Sequence, residues 1–241
     1  MLFLKFFRGL KLIFLNSIYF KLKFFGIKLM LILIIHSLLK FFYLKFVHKK
    51  IILEFNKKIK KLSFTQNYFK HNPPIWFEIF KKNKLLKKKI DILEIGSFEG
   101  MSLVYFKETL NINKFYAVDI QKNKLFLRNT KSYRNIKYLN TSSDLFFKKN
   151  YNKKFDIIYV DGSHYYNDVY KDLVNSDKTL KDKGILIIDD LLLDVSYRRG
   201  SKFYEEVMGG VFKFMKIHRH KYLILYVGHQ LILKKRDRNY N

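Results

Sequence analysis

The chain has 241 residues, 49% hydrophobic and 18% aromatic, enough for one α/β domain of ordinary size and an appendage of about fifty residues. Its formal charge of +28, from 48 Lys and Arg against 20 Asp and Glu, is open to three explanations: nucleic acid, an anionic membrane face, or lysine spread over solvated surfaces. The absence of cysteine excludes disulfides, thiolate metal sites and a cysteine nucleophile, and without zinc-finger spacing or an aromatic-glycine RNA-binding tract, nucleic acid is not an expected partner.

Residues 1–50 contain ten Lys or Arg and no acid, the first being Glu54. Lys5, Arg8 and Lys11 share one face of a helix whose remainder is Leu2, Phe3, Phe6, Phe7, Leu10 and Phe14, the pattern of a basic amphipathic helix at an anionic membrane surface. The apolar stretch Leu29–Leu39 stops at Lys40, short of the ~20 residues that a span needs, so this arm is expected to lie on a membrane rather than cross it. The expected location is cytoplasmic, peripheral on the inner face; packing of the arm on the domain or on a second subunit is the alternative. Residues 51–89 read as a helical connector and lid, with a helix starting near Pro73 that Asn72 can cap. Trp76, the only tryptophan, is either a cover over a ligand or core packing.

From Ile90 onward, apolar runs at 90–95, 114–118, 135–139, 155–160 and 184–188 alternate with helix-length stretches at about 99–110, 122–131, 143–149 and 165–181. That alternation predicts a Rossmann-like, doubly wound α/β fold over residues 90–241. After a helix at about 201–215, Tyr222–Val227 and Gln230–Leu233 predict an antiparallel hairpin, completing a mostly parallel seven-stranded sheet.

Chemistry-bearing residues gather at the predicted strand ends. In Glu94-Ile-Gly-Ser-Phe-Glu-Gly100 the glycines let the backbone turn and approach a ligand, while an acid at the loop start would repel a diphosphate and suit a cationic amino-acid end. Asp119 ends the second strand, where a carboxylate can accept both hydroxyls of a ribose or merely cap a helix. Ser142, Ser143 and Asp144 follow the third strand, in position to meet an adenine or to cap the next helix. The runs ending in Asp161-Gly-Ser-His164 and in Asp189-Asp190 place three carboxylates and one imidazole on the same edge. Asp161, Asp189 and Asp190 are oxygen ligands that a hard cation such as Mg²⁺ would accept; Asp161 could instead only orient a ligand, and Asp190 only cap a turn.

On the E-I-G-S-x-E-G loop, the V-D-G-S-H strand end and the G-x-L-I-x-D-D strand end, in that order, the chain from about Ser63 to Lys235 resembles the class I S-adenosylmethionine-dependent methyltransferases, in the branch that includes sugar O-methyltransferases. The resemblance implies a sulfonium cofactor held by Glu94, Gly96, Ser97, Gly100 and Asp119, with Ser143 or Asp144 near its adenine. It also implies His164 as general base, assisted by Asp161, with Mg²⁺ on Asp161, Asp189 and Asp190. An acid expected beside the adenine-loop serine is Ser142 here. The implied acceptor is a small molecule bearing a hydroxyl, a saccharide first, with phenolic and lipid-linked acceptors open. A nicotinamide oxidoreductase is disfavoured by the glycine spacing, and the Tyr133-x-x-x-Lys137 pattern falls before the third strand. A membrane-associated, non-catalytic module retaining the fold is the other alternative; the intact His164 and Asp189-Asp190 count against it.

Overall fold

Strand β4 (Phe155–Val160) is buried at all six positions, as a strand must be when helices cover both faces of its sheet. It belongs to a computed structural model that describes residues 39, 42–44, 46–69, 71–191 and 206–237. Most of the N-terminal arm, together with Arg198 and Arg199 of the loop after Leu191, lies outside the described residues.

The sheet runs β3 (Ile136–Asn140), β2 (Ile112–Asp119), β1 (Ile90–Ile95), β4, β5 (Leu180–Ile188), β7 (Leu231–Lys235), β6 (Tyr222–Val227). The first five strands are parallel, whereas β7 pairs antiparallel with both β5 and β6. The chain leaves β1 toward β2 on one side and returns to β4 on the other, so a crevice opens between the carboxyl ends of β1 and β4, where such sheets bind ligands.

Strand residues alternate between two apolar layers. Ile95, Val118, Val160 and Ile188 face Phe146 of α5 (Ser143–Asn150), Leu173 of α6 (Tyr166–Thr179) and Phe214 of α7 (Val207–His218). Ile92, Ala117, Tyr159 and Ile187 face the opposite layer, with Phe55 of α1 (Lys49–Ile59), Trp76 of α2 (Pro73–Lys82), Phe106 of α3 (Met101–Thr109) and Phe126 of α4 (Lys124–Thr130). Residues of the connector, and Leu44 of the arm, therefore share a core with the sheet.

Two local expectations change, and one open choice, at Trp76, is decided. Asn72 has helical dihedrals instead of the extended backbone of a cap and makes no side-chain cap; Pro73 and Pro74 remove two first-turn N–H groups, leaving only that of Ile75 for a cap to meet. Strand β5 begins at Leu180 rather than Gly184, across a register shift opposite Phe155 and Ile157. Trp76 is fully buried, 4.7 Å from the rings of both Phe69 and Phe106, and its Nε1 donates to Gln230 Oε1 at 2.7 Å, so it is core and not a cover. Among the described residues no helix is long and apolar enough to cross a membrane.

Candidate active site

A cavity of about 830 Å³ lies over the carboxyl ends of β1, β2, β4 and β5, a size that suits a nucleoside-sized ligand beside a second small molecule. Among the described residues its wall includes eight carboxylates, Glu99, Asp119, Asp144, Asp161, Asp168, Asp172, Asp189 and Asp190, against the single lysine Lys171. In a chain with 48 Lys and Arg to 20 acids, this inversion of charge selects a cationic occupant over a polyphosphate.

The first wall is the turn after β1. Gly96 has φ +84°, and a Cβ there would stand 2.0 Å from the Asp161 carbonyl oxygen, so the exits of β1 and β4 touch backbone to backbone. Asp161 N donates to Ile95 O and Asp189 N to Val160 O, which extends the strand ladder far enough to set the two carboxylates side by side. Gly100, at φ +82°, starts α3. Asp119 accepts from the backbone N–H of Phe98 at 2.9 Å and of Gln121 at 2.8 Å, so β2 presents a fixed carboxylate to the cavity.

Glu94 is fully buried behind the wall formed by Gly96, Ser97 and Ser102. Its Oε1 accepts from Ser102 Oγ, while Glu94 Oε2 and Ser97 Oγ are buried without an aligned partner. Burial pushes its carboxyl up to about 8, with Asp119 adding to the rise and the Ser102 and Ser97 hydroxyls opposing it. Ser143 and Asp144 line the cavity from the first turn of α5, whose cap is Ser142, accepting from Leu145 N. Asp172 faces them from α6, raised to about 7 by burial and by Asp144 and Asp168, with Ser143 pulling down.

The second wall carries the remaining predicted residues. Tyr159 OH meets Asp161 Oδ2 at 2.9 Å and also contacts Asp189 Oδ2. One hydroxyl proton cannot serve two carboxylates, so two anions around Tyr159 require a further proton or a cation. Burial first, and then the charges of Asp189 and Asp190, push Asp161 far above the carboxylate range; burial and Asp190 likewise raise Asp189. Asp190 behaves oppositely. Burial opposes its charge, yet His164 and His229 hold it well below the usual range. Its residue is left-handed at φ +52°, and its two oxygens lie 2.9 Å from His164 Nε2 and 3.0 Å from His229 Nε2. The His164 approach is an ion-pair distance off the line of a hydrogen bond, which leaves that nitrogen without an aligned partner.

All the predicted site residues thus converge on one cavity, with Glu94 just behind its wall. Sequence reasoning passed over four others. Tyr159 was hidden in an apolar run, although a hydroxyl two residues before a strand-end acid shares its face. In the sequence His229 reads only as part of a turn and Gln230 only as the start of a strand, yet a hairpin whose β7 runs antiparallel to β5 must set its tip beside Asp189-Asp190. Glu99 accepts from Thr65 N and Oγ1, both at 2.8 Å, and ties the segment carrying Phe64, Gln66 and Tyr68 over the cavity; this partnership has no local sequence signal.

Residues 93–191 match a family described as a methyltransferase domain. Solved structures agree on the fold. The MycE methyltransferase of the mycinamycin biosynthetic pathway, in complex with Mg, SAH and mycinamycin VI, is 18% identical over 79% of this chain, with a TM-score of 0.60. A putative caffeoyl-CoA O-methyltransferase from Staphylococcus aureus is 17% identical, covering 83% of this chain and all of its own, with a TM-score of 0.56. A putative O-methyltransferase from Klebsiella pneumoniae is 12% identical over 78% of this chain and 89% of its own, also at 0.56. This chain spans 56% of the MycE chain, little more than half its length. No curated protein sequence matches the chain. The loops of the matched residues lie at the switch point of the sheet, where the cavity opens.

Proposed function

We propose that this domain methylates a hydroxyl of a small acceptor, a saccharide first, using S-adenosylmethionine. The observation that carries the reading is the acidic cavity over the Gly96–Gly100 turn, with the buried Glu94 Oε2 and Ser97 Oγ lacking aligned partners beside it. These groups fit a ligand with a cationic amino-acid end, and Asp119 fits its ribose. Ser143 and Asp144 stand where the adenine would lie. S-adenosylmethionine, when bound, supplies an electrophilic methyl group.

The chain's residues do the rest. The walls hold the acceptor oxygen in line with the methyl group, and this positioning accounts for much of the rate. His164 takes the hydroxyl proton on Nδ1, the ring nitrogen turned from Asp190, and Asp190 stabilises the imidazolium. A Mg²⁺ ion shared by Asp161, Asp189 and Asp190 would resolve the crowding around Tyr159 and ease deprotonation of the hydroxyl. Among the described residues the donor groups that lie within 4.8 Å of one another are Asp161, His164 and Asp190 in one set and Asp189, Asp190 and His229 in another, so the three carboxylates would have to draw together to share it. The exposed rings of Tyr68 and Phe98, 6.4 Å apart at the cavity wall, support a saccharide, whose flat C–H faces pack on aromatic rings.

Calorimetric titration of S-adenosylhomocysteine tests this. Saturable one-to-one binding is expected, weakened at least about tenfold by Asp119→Ala, which removes a charge-assisted hydrogen-bond acceptor. His164→Ala is expected to keep that binding and lose turnover. A folded protein that does not bind would overturn the reading and favour the non-catalytic module.

We further propose that residues 1–50 hold the domain to the cytoplasmic face of an anionic membrane. In support, Leu39, Phe42, Tyr43 and Phe46 fall at helical spacing and are each more than 60% exposed, beside the basic residues Lys49 and Lys50. The full chain should float with vesicles containing phosphatidylserine and release in high salt; equal flotation with neutral vesicles would refute the electrostatic part.

A further inference from the structure

The hairpin between β6 and β7 delivers an imidazole that the carboxylate set does not include. His229 Nε2 lies 3.0 Å from Asp190 Oδ1 and 3.6 Å from Asp189 Oδ1. Donor atoms of Asp189, Asp190 and His229 all fall within 4.8 Å of one another, the compass of a single ion. This position is built. Leu191 N donates to His229 O at 2.8 Å, and Gln230 Nε2 donates to Asp189 Oδ2 at 2.8 Å while its Oε1 takes the buried Trp76 N–H. The hairpin tip is thereby fastened to both sides of the Asp189-Asp190 pair.

We propose that His229 is a nitrogen ligand of the cation at this site, and that the site therefore prefers a first-row transition ion such as Mn²⁺ to Mg²⁺. The proposal rests on the cation-assisted reading above and deepens it. The chemical reason is the donor set. Magnesium is a hard ion that keeps oxygen and water ligands, whereas imidazole nitrogen binds Mn²⁺ and the later divalent ions more strongly. His164 is the competing nitrogen donor, since Asp161, His164 and Asp190 form a second group of the same compactness. The two differ in support. His229 is fixed from both sides by the hairpin, and its use as a ligand leaves His164 free for the acceptor proton.

The test is pulsed electron paramagnetic resonance of Mn²⁺ added to the full chain, read for ¹⁴N modulation, with calorimetric titration of Mn²⁺ and Mg²⁺ alongside. Expected are ¹⁴N modulation in the wild type and in His164→Ala, its loss in His229→Ala and His229→Asn, and a Mn²⁺ affinity at least about tenfold lower in the latter two. The preference for Mn²⁺ over Mg²⁺ should shrink by a similar factor. S-adenosylhomocysteine binding by each variant establishes that it is folded. Modulation that survives in both His229 variants assigns the nitrogen to His164 and overturns the proposal. So does Mn²⁺ bound without ¹⁴N modulation, or no Mn²⁺ binding by wild-type protein that binds S-adenosylhomocysteine. Absence of S-adenosylhomocysteine binding by the wild type would instead count against the cofactor reading, which the metal signal does not test.

Discussion

Gly96→Ala should abolish S-adenosylhomocysteine binding and lower the free energy of unfolding by about 3 kcal/mol or more, from the combined cost of overpacking and a left-handed backbone. A Cβ at this position would stand 2.0 Å from Asp161 O, 2.5 Å from its carbonyl carbon and 2.7 Å from Gly162 Cα. None of these atoms is the end of a flexible side chain. Relief requires separating the exits of β1 and β4, which the Asp161 N to Ile95 O bond holds together. Separation would also displace Asp161 and the loop that faces the ligand. Gly100→Ala is the internal comparison: it is similarly left-handed, but its Cβ would meet the side chains of Phe126 and Thr130 at 3.1 Å, contacts that small rotations can ease. Urea denaturation of both variants checks the ordering. Equal losses would show that backbone conformation alone matters, and an unchanged Gly96→Ala protein would refute the close approach.

How much of this was legible in the sequence depended on whether the cause was local. Strands β1, β4 and β6 have the predicted bounds because their apolar runs are closed by charged residues, glycine or helix-start signals. The β1 and β4 turns were legible because glycine and acidic residues at strand ends have few other uses in an open α/β sheet. Asn72 is misleading because Pro73 and Pro74 mark a helix start, whereas the helical backbone at Asn72 itself lies outside the local signal. Trp76, Gln230, Asp189 and Tyr159 form one hydrogen-bonded chain whose members span residues 76–230, and no window of sequence contains it. His229 belongs to the same class. Its chemistry comes from the antiparallel pairing of β7 with β5; the hairpin is legible in the sequence, but which of its two strands meets β5 is not.

A large pH effect is expected from Glu94. In the folded chain its carboxyl sits at about 8, against 4.5 ordinarily. Between those values the unfolded chain has released a proton that the folded chain keeps, so the stability associated with this group is full below pH 4.5 and is lost as pH rises through 8. At about 1.4 kcal/mol per pH unit, the loss across the window is on the order of 5 kcal/mol, an upper figure because the site can relax when the charge forms. Glu94→Gln removes the titrating proton while preserving shape, with Ser102 and Ser97 within reach of the amide. Its unfolding free energy should therefore gain on the wild type steadily from pH 5 to pH 8.5. Ligand binding should respond in the opposite sense. The α-ammonium of S-adenosylhomocysteine favours the carboxylate, so binding at pH 7 should draw a proton off Glu94, and affinity should increase toward pH 8 in the wild type but not in Glu94→Gln. Calorimetry in buffers of different ionisation enthalpy measures that proton directly. Parallel stability curves for the two proteins would mean that Glu94 is already ionised in the fold. Matching proton release on binding would mean that its charge does not reach the ligand, and the acidic loop start would then be a device for closing the turn through Ser102 rather than for holding a cation.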